Sequence, residues 1–274
     1  MGYYAPIGRL VGNIKIENLT KLFTNRRAKP RNLDEPDEHS GDHVLVLNDI
    51  NLEFEEGEMV CILGPSGCGK STMLRIIAGF DESTYGRVLS GGVPVKGPSA
   101  DSIFVFQHSG LLPWMTVAQN VALGLRHLDP EEVQDKIHEY VEMVELEGFE
   151  NYYPHQLSGG MQRRAELARA LAVNPETLIM DEPFSGLDFL THMKMREEVV
   201  NMHEFLHKTM LVVTHDIDDA LIMGDRIVVM SNRPATVKLM HKLDFPRPRD
   251  FERDANLSQL RSEIFLMLGV PYAV

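Results

Sequence analysis

Cysteine and tryptophan are scarce in this chain, with 2 and 1 among 274 residues, and bases are outnumbered, 27 Lys and Arg against 40 Asp and Glu. Each shortage excludes something. Two cysteines, Cys61 and Cys68, make neither a disulfide framework nor a zinc-binding spacing, as suits a reducing compartment. Cys61 reads as a small buried hydrophobe in a strand, and Cys68 sits in a loop where nothing requires it to be reactive. A net charge of −13 argues against a general nucleic-acid binder. No apolar run approaches the ~20 residues that span a bilayer. No signal peptide is expected at the N-terminus, and Pro6 stands where a myristoylation motif takes Ser or Thr. Any membrane attachment is therefore expected through another subunit. Internal repeats and low-complexity tracts are also missing. What is present is enough apolar material, 43% of residues, for one large domain or two small ones.

Two phosphate-handling motifs stand out. Gly64-Pro65-Ser66-Gly67-Cys68-Gly69-Lys70-Ser71 matches the P-loop pattern G-x-x-x-x-G-K-[ST] at every fixed position. An apolar run, Met59 to Leu63, precedes it as a buried strand, and Thr72 to Ala78 follows as a helix. Glycines there let backbone N–H groups turn onto a polyphosphate, and the helix N-terminus adds partial positive charge. Lys70 would reach the β- and γ-phosphates of ATP, and the Ser71 hydroxyl would ligate Mg²⁺. The second motif, Leu157-Ser158-Gly159-Gly160-Met161-Gln162, begins after an interval of 85 residues, 72 to 156. It puts Ser158, Gly159 and Gly160 at the start of another helix, as a second anion cradle. One nucleotide rarely needs two cradles from one chain. The pairing implies that each chain holds ATP with its P-loop and covers a partner's ATP with the serine and glycines.

Four apolar strands each end on a polar or phosphate-handling residue. Met59–Leu63 runs into the P-loop, and 103–106 into Gln107. The run 178–180 leads to Asp181 and Glu182, and 210–213 to Thr214 and His215. Ligands in open α/β sheets gather at the carboxyl ends of strands, so these residues can converge on one nucleotide. Taken singly they are weak signals. Asp181-Glu182 is as readily an ordinary acidic turn as a catalytic pair. A histidine after a strand is more often structural, and a glutamine there means nothing by itself. Elsewhere, Ile14 to Glu17 and Val44 to Phe54 read as strands. Between them, 24–43 has no periodic apolar face and reads as a solvated insertion. Residues 107–172 are mostly helical in pattern. Val133, Ile137, Val141 and Val144 form a helical stripe over 131–146, and 258–268 reads as a last helix.

Taken in order and spacing, the P-loop, 157–162, Leu178 to Pro183 and Thr214-His215-Asp216 resemble an ABC-transporter ATP-binding subunit over roughly residues 12 to 270. The resemblance implies an α/β fold: a P-loop NTPase core with an antiparallel β subdomain and an inserted α-helical subdomain. It implies an ATPase domain over 12–248, with 107–172 as the helical subdomain, and a C-terminal tail over 249–274. It assigns Glu182 as general base, His215 as the residue that contacts the γ-phosphate and helps hold water, and Gln107 as a contact to Mg²⁺ or water. Nucleotide contacts would come from 64–72, that is Gly64 through Ser71 and Thr72, from Ser158, Gly159 and Gly160, and from Asp188 in Ser185-Gly186-Leu187-Asp188. Mg²⁺ ligands would be Ser71, Gln107 and Asp181. Phe23 lies where the family stacks an aromatic on adenine, although a strand-end residue packing inward accounts for it as well.

The stretch 107–117, with Leu112-Pro113-Trp114, and the tail 245–250 are similar to importers of the nitrate, sulfonate and taurine group. Trp114 is expected to pack within the helical subdomain while bordering a permease groove. His192 stands where this group often has arginine. The resemblance implies a dimer of ATPase subunits, identical or homologous, on the cytoplasmic side of the inner membrane. Its partners would be membrane permeases and, indirectly, an extracytoplasmic solute-binding protein, with no nucleic acid. An alternative is an ABC ATPase outside transport, such as an iron–sulfur assembly ATPase. The stretch around Pro113-Trp114 stands against it.

Overall fold

The computed structural model describes residues 13–24, 43–107, 110–126 and 128–269. The expected insertion lies, apart from Thr24 and His43, outside them. Two sheets organise the chain. The first is antiparallel, in the order β2-β1-β4-β5, from β1 (Ile14–Thr24), β2 (His43–Phe54), β4 (Tyr85–Ser90) and β5 (Val93–Pro94). The second contains β3 (Met59–Leu63), β6 (Ser102–Val105), β7 (Thr177–Asp181), β8 (Thr209–Val213), β9 (Arg226–Met230) and β10 (Val237–Lys242), in the order β10-β9-β3-β8-β7-β6. Within it β9, β3, β8, β7 and β6 pair in parallel, and only β10 is antiparallel. Every side chain of β3 is buried, as a parallel strand covered on both faces requires.

The sheet order positions the site. β3, β8, β7 and β6 are neighbours, and each ends in one of the segments singled out above. Their carboxyl ends are level, because Ile62 pairs with Val213, Val213 with Asp181, and Met180 with Val105. The sequence pattern carries these strands well because parallel strands are continuous apolar runs.

One core fills the space between the two sheets. It includes Ile16, Leu19 and Phe54 of the antiparallel sheet and Ile62 and Val213 of the parallel one. Met73, Leu74 and Ile77 of α1 (Lys70–Ile77) pack between them. A second core lies on the other face, under α5 (Phe189–Leu206), α6 (Ile217–Met223) and α7 (Ala255–Met267). It continues into a helical arm of α2 (Val117–Ala122), α3 (Pro130–Met143) and α4 (Gly159–Ala172). The α2 helix starts in a reciprocal capping box between Thr116 and Gln119. In α3, Pro130 occupies the first turn, where its missing N–H costs nothing. The expected stripe packs inward: Ile137, Val141 and Val144 are buried and Val133 is partly so.

The chain end is fastened to this core. Arg247 pairs with Asp225 at 2.7 Å, and Arg249 donates to the carbonyls of Leu221 (2.7 Å) and Gly224 (2.5 Å). Arg261 grips Asp218 with two nitrogens, at 2.5 and 2.7 Å, and α7 buries Leu257, Leu260 and Ile264. The expectation that Trp114 packs within the helical arm does not hold. Leu111 and Val117 fill the core on either side of the turn, and the indole stays 68% exposed.

Candidate functional site

The loop between β3 and α1 turns on glycines where a side chain has no room. Gly69 caps α1 with φ 128°, and a Cβ there would stand 2.9 Å from both Val46 and Leu47 of β2. Lys70 opens the helix, is buried, and donates from Nζ to the carbonyls of Gly64 at 2.7 Å and Pro65 at 3.1 Å. The amine is thereby held inside the curve of the loop. Ser66 and Gly67 are exposed at its apex, whereas Cys68 is buried against Gly64. Cys61 is buried as expected, and that burial pushes its thiol up to about 12.

Ser71 follows Lys70, and its hydroxyl hydrogen-bonds the Asp181 carboxylate at the end of β7. Burial raises the Asp181 carboxyl above its ordinary value; the Ser71 bond works against that rise and the neighbouring Glu182 adds to it. A hydroxyl and a half-buried carboxylate facing each other are hard oxygen donors of the kind Mg²⁺ takes. Mg²⁺ also asks for only one or two carboxylates beside phosphate. The residues present therefore fit a magnesium–nucleotide complex.

Glu182 is the meeting point of three strand ends. Its N–H donates to the Val213 carbonyl at 2.9 Å, carrying the β7–β8 ladder one residue past Asp181, and its φ is 47°. That conformation separates its side-chain direction from that of Asp181. Gln107, two residues beyond β6, donates from Nε2 to Glu182 Oε2 at 3.0 Å. His215, two residues beyond β8, brings Nδ1 to 3.5 Å from the same oxygen. The histidine ring is 70% exposed, while Thr214 below it is buried and accepts the Asp216 N–H at 3.0 Å. A cavity of about 300 Å³ opens here, lined by Glu182, Phe184, Ser185, His192, His215 and Asp219 among others. His192 brings its Nε2 to 2.7 Å from Asp219, which also receives Arg196 at 3.1 Å.

Ser158, Gly159 and Gly160 form a separate group with the segment after Glu182. Ser158 caps α4, accepting the Met161 N–H at 3.3 Å. A Cβ on Gly160 would come within 2.5 Å of Thr191, and one on Gly159 within 3.6 Å of Leu187. Asp188 caps α5, accepting from the Thr191 N–H at 3.1 Å and its hydroxyl at 2.6 Å, and these bonds lower its carboxyl. Phe23 pairs with Val44 on β2, two residues before the valine that presses on Gly69; its ring is 41% exposed, with Lys21 Nζ 5.0 Å from its centroid.

Sequence reasoning missed the residues that tie Gln107 to α4. Arg163, buried, donates to the carbonyls of Phe106 (2.7 Å) and Gln107 (2.6 Å) and pairs with buried Glu166 at 2.6 Å. Glu166 in turn accepts the Gly110 N–H, and Arg169 donates to the Gly110 carbonyl at 2.7 Å. The available signal was charge at positions 163 and 166, with 169 one turn on, on a face otherwise occupied by buried Leu167 and Ala170.

Comparison with known proteins bears on the family and the fold. The family model described as ABC transporter matches residues 47–185. The chain is 41% identical to the nitrate import ATP-binding protein NrtD of Synechococcus elongatus, over 80% of its own length and 83% of the relative. It is 44% identical to the aliphatic sulfonates import ATP-binding protein SsuB of Bacillus cereus, over 76% and 84%. Among solved structures, a dimeric post-hydrolysis state of the ATP-binding cassette MJ0796 bound to ADP and Pi superposes with a TM-score of 0.70 at 35% identity. That match covers 85% of this chain and all of the other.

Proposed function

The chain belongs to the ABC transporter family of ATP-binding subunits, and from that premise we propose that it hydrolyses ATP to power import of a small solute through a partner permease. One observation carries the reading: Gln107 and His215 converge on one oxygen of Glu182, beside the strand ends that hold Lys70, Ser71 and Asp181. In this reading 64–72 binds the phosphates and Phe23 stacks on adenine. Ser71, Asp181 and the side-chain amide oxygen of Gln107 would hold Mg²⁺, which when bound neutralises phosphate charge. Glu182 accepts a proton from water as the water oxygen bonds to the γ-phosphorus and the bond to the ADP oxygen breaks. Gln107 and His215 orient that carboxylate and the water, with His215 also touching the γ-phosphate. The ATPase domain then runs over 12–248 with 107–172 as its helical subdomain, and α7 belongs to the tail of 249–274.

The relatives named for nitrate and aliphatic sulfonates support a cargo in that small-anion class. A dimer of two such chains supplies Ser158, Gly159, Gly160 and Asp188 across the interface, in line with the dimeric cassette that this fold matches. Among the described residues no helix is long and apolar enough to cross a membrane, which supports a peripheral subunit docked on permeases at the cytoplasmic face. Trp114, Tyr152 and Tyr153, each exposed on the helical arm, are aromatic side chains free to meet the permease. An outer solute-binding protein would act through that permease.

Purified Glu182→Gln tests the reading. The amide keeps shape and cannot accept the proton, so ATP binding survives, turnover drops at least ~100-fold, and an ATP-bound dimer accumulates by light scattering. Turnover near wild type would remove Glu182 as the base.

A further inference from the structure

We propose that Arg233 is an additional contact of the nucleotide's phosphates, reaching them from the apex of the β3–α1 loop on the side away from Lys70. It deepens the nucleotide-binding reading above and rests on it. Arg233 lies in the turn between β9 and β10, and its Nη2 stands 3.8 Å from where a Gly67 Cβ would be, the one atom within 4 Å of that position from outside the glycine and its two chain neighbours. The residue is exposed, and among the described residues no carboxylate pairs with it.

The turn that carries Arg233 is held in place. Ser231 N–H donates to the Thr236 carbonyl at 2.9 Å, and Thr236 N–H to the Ser231 hydroxyl at 2.9 Å. Next to it, Ala235 N–H donates to the Val46 carbonyl and Asn48 N–H to the Ala235 carbonyl, both at 2.9 Å. Val46 and Leu47 are the side chains packed on Gly69. The same stretch of β2 therefore fixes the arginine turn on one side and the phosphate loop on the other, so the offset between Arg233 and Gly67 is set by sheet structure. A guanidinium so placed offers a planar fork of donors matched to phosphate oxygens. Lys70 supplies a point charge within the loop, and Arg233 closes it from the exposed apex.

Equilibrium binding of ATP, ADP and AMP to the full chain tests this, using wild type, Arg233→Ala, Arg233→Lys and Lys70→Ala at protein concentrations below dimerisation. Arg233→Ala is expected to weaken ATP about tenfold, the size of one charge-assisted hydrogen bond, with a smaller loss for ADP and the smallest for AMP. Arg233→Lys recovers part of the loss. Thermal unfolding without nucleotide stays at the wild-type temperature, since the side chain is exposed. Unchanged ATP affinity in Arg233→Ala, with Lys70→Ala weakened, overturns the inference alone. Unchanged affinity in Lys70→Ala overturns the phosphate-loop reading beneath it. A loss confined to ATP-driven dimerisation, with monomer affinity intact, assigns Arg233 to the partner subunit and equally overturns the inference.

Discussion

At the scale of single residues, Asp181 shows a site placed at the expense of stability. Burial lifts its carboxyl above the ordinary value, so between those two values the folded chain holds a proton that the unfolded chain has released. Stability therefore falls as pH rises through that interval, and at neutral pH the ionised carboxylate is a net cost. Asp181→Asn removes the cost. Without nucleotide it is expected to unfold a few degrees above wild type at pH 7, with the gain shrinking as the pH falls toward 4, while ATP hydrolysis drops at least ~100-fold. Calorimetry across pH beside a phosphate-release assay reads both; a lower unfolding temperature at pH 7 contradicts the assignment. Asp181, Glu182, Gln107 and His215 were legible from sequence because each follows an apolar strand and falls in a fixed motif order. Arg233 was not, since Gly67, which its guanidinium approaches, is 166 positions away and no periodicity links the two.

At the scale of elements, α4 and the stretch after β6 are joined by charge buried in an apolar arm. Arg163→Ala strands Glu166 and is expected to cost about 3–5 kcal/mol, read as a fall of roughly 10 °C in the unfolding temperature. Arg163→Met combined with Glu166→Leu fills the same volume without charge and should recover most of that stability. ATPase activity should stay low in the double variant, because nothing then holds the carbonyls of Phe106 and Gln107 or the Gly110 N–H. Full activity in a stable double variant would leave the pair a structural filler. This joint could not be read in advance: the carbonyls that Arg163 and Arg169 hold are backbone atoms 56 to 59 positions away, and backbone atoms leave no mark in a sequence. Element ends failed for nearer reasons. The alternation of β1 was followed only to Glu17 because Asn18 has φ 51° and the pairing with β2 shifts register beyond Ile16, yet the strand continues to Thr24. The first helix begins at Lys70, two residues before the expected start, because the Gly69 cap rather than the first apolar residue sets its origin.

At the scale of the whole molecule, Ser158 is a test of shared sites. It caps α4 and is exposed, beside the Leu187–Thr191 segment. Ser158→Arg should leave ATP affinity of the monomer within about twofold of wild type, since the cap contributes only about 1 kcal/mol to its own helix and the phosphate loop is untouched. ATP-driven dimerisation and hydrolysis should both collapse; a homodimer turning over at the wild-type rate would refute the sandwich. The strand order has a further consequence, for how the molecule comes into being. The antiparallel sheet is complete by Pro94, but β3 pairs only with β8 and β9, whose first residue, Thr209, comes about 150 residues after β3 ends. At ~5–20 residues per second of synthesis, that leaves the run Met-Val-Cys-Ile-Leu without a strand neighbour for roughly 7–30 s. The nascent chain thus has half of its nucleotide cleft early and the catalytic half last, with its most apolar strand waiting in between, and that interval is when it has most need of a chaperone.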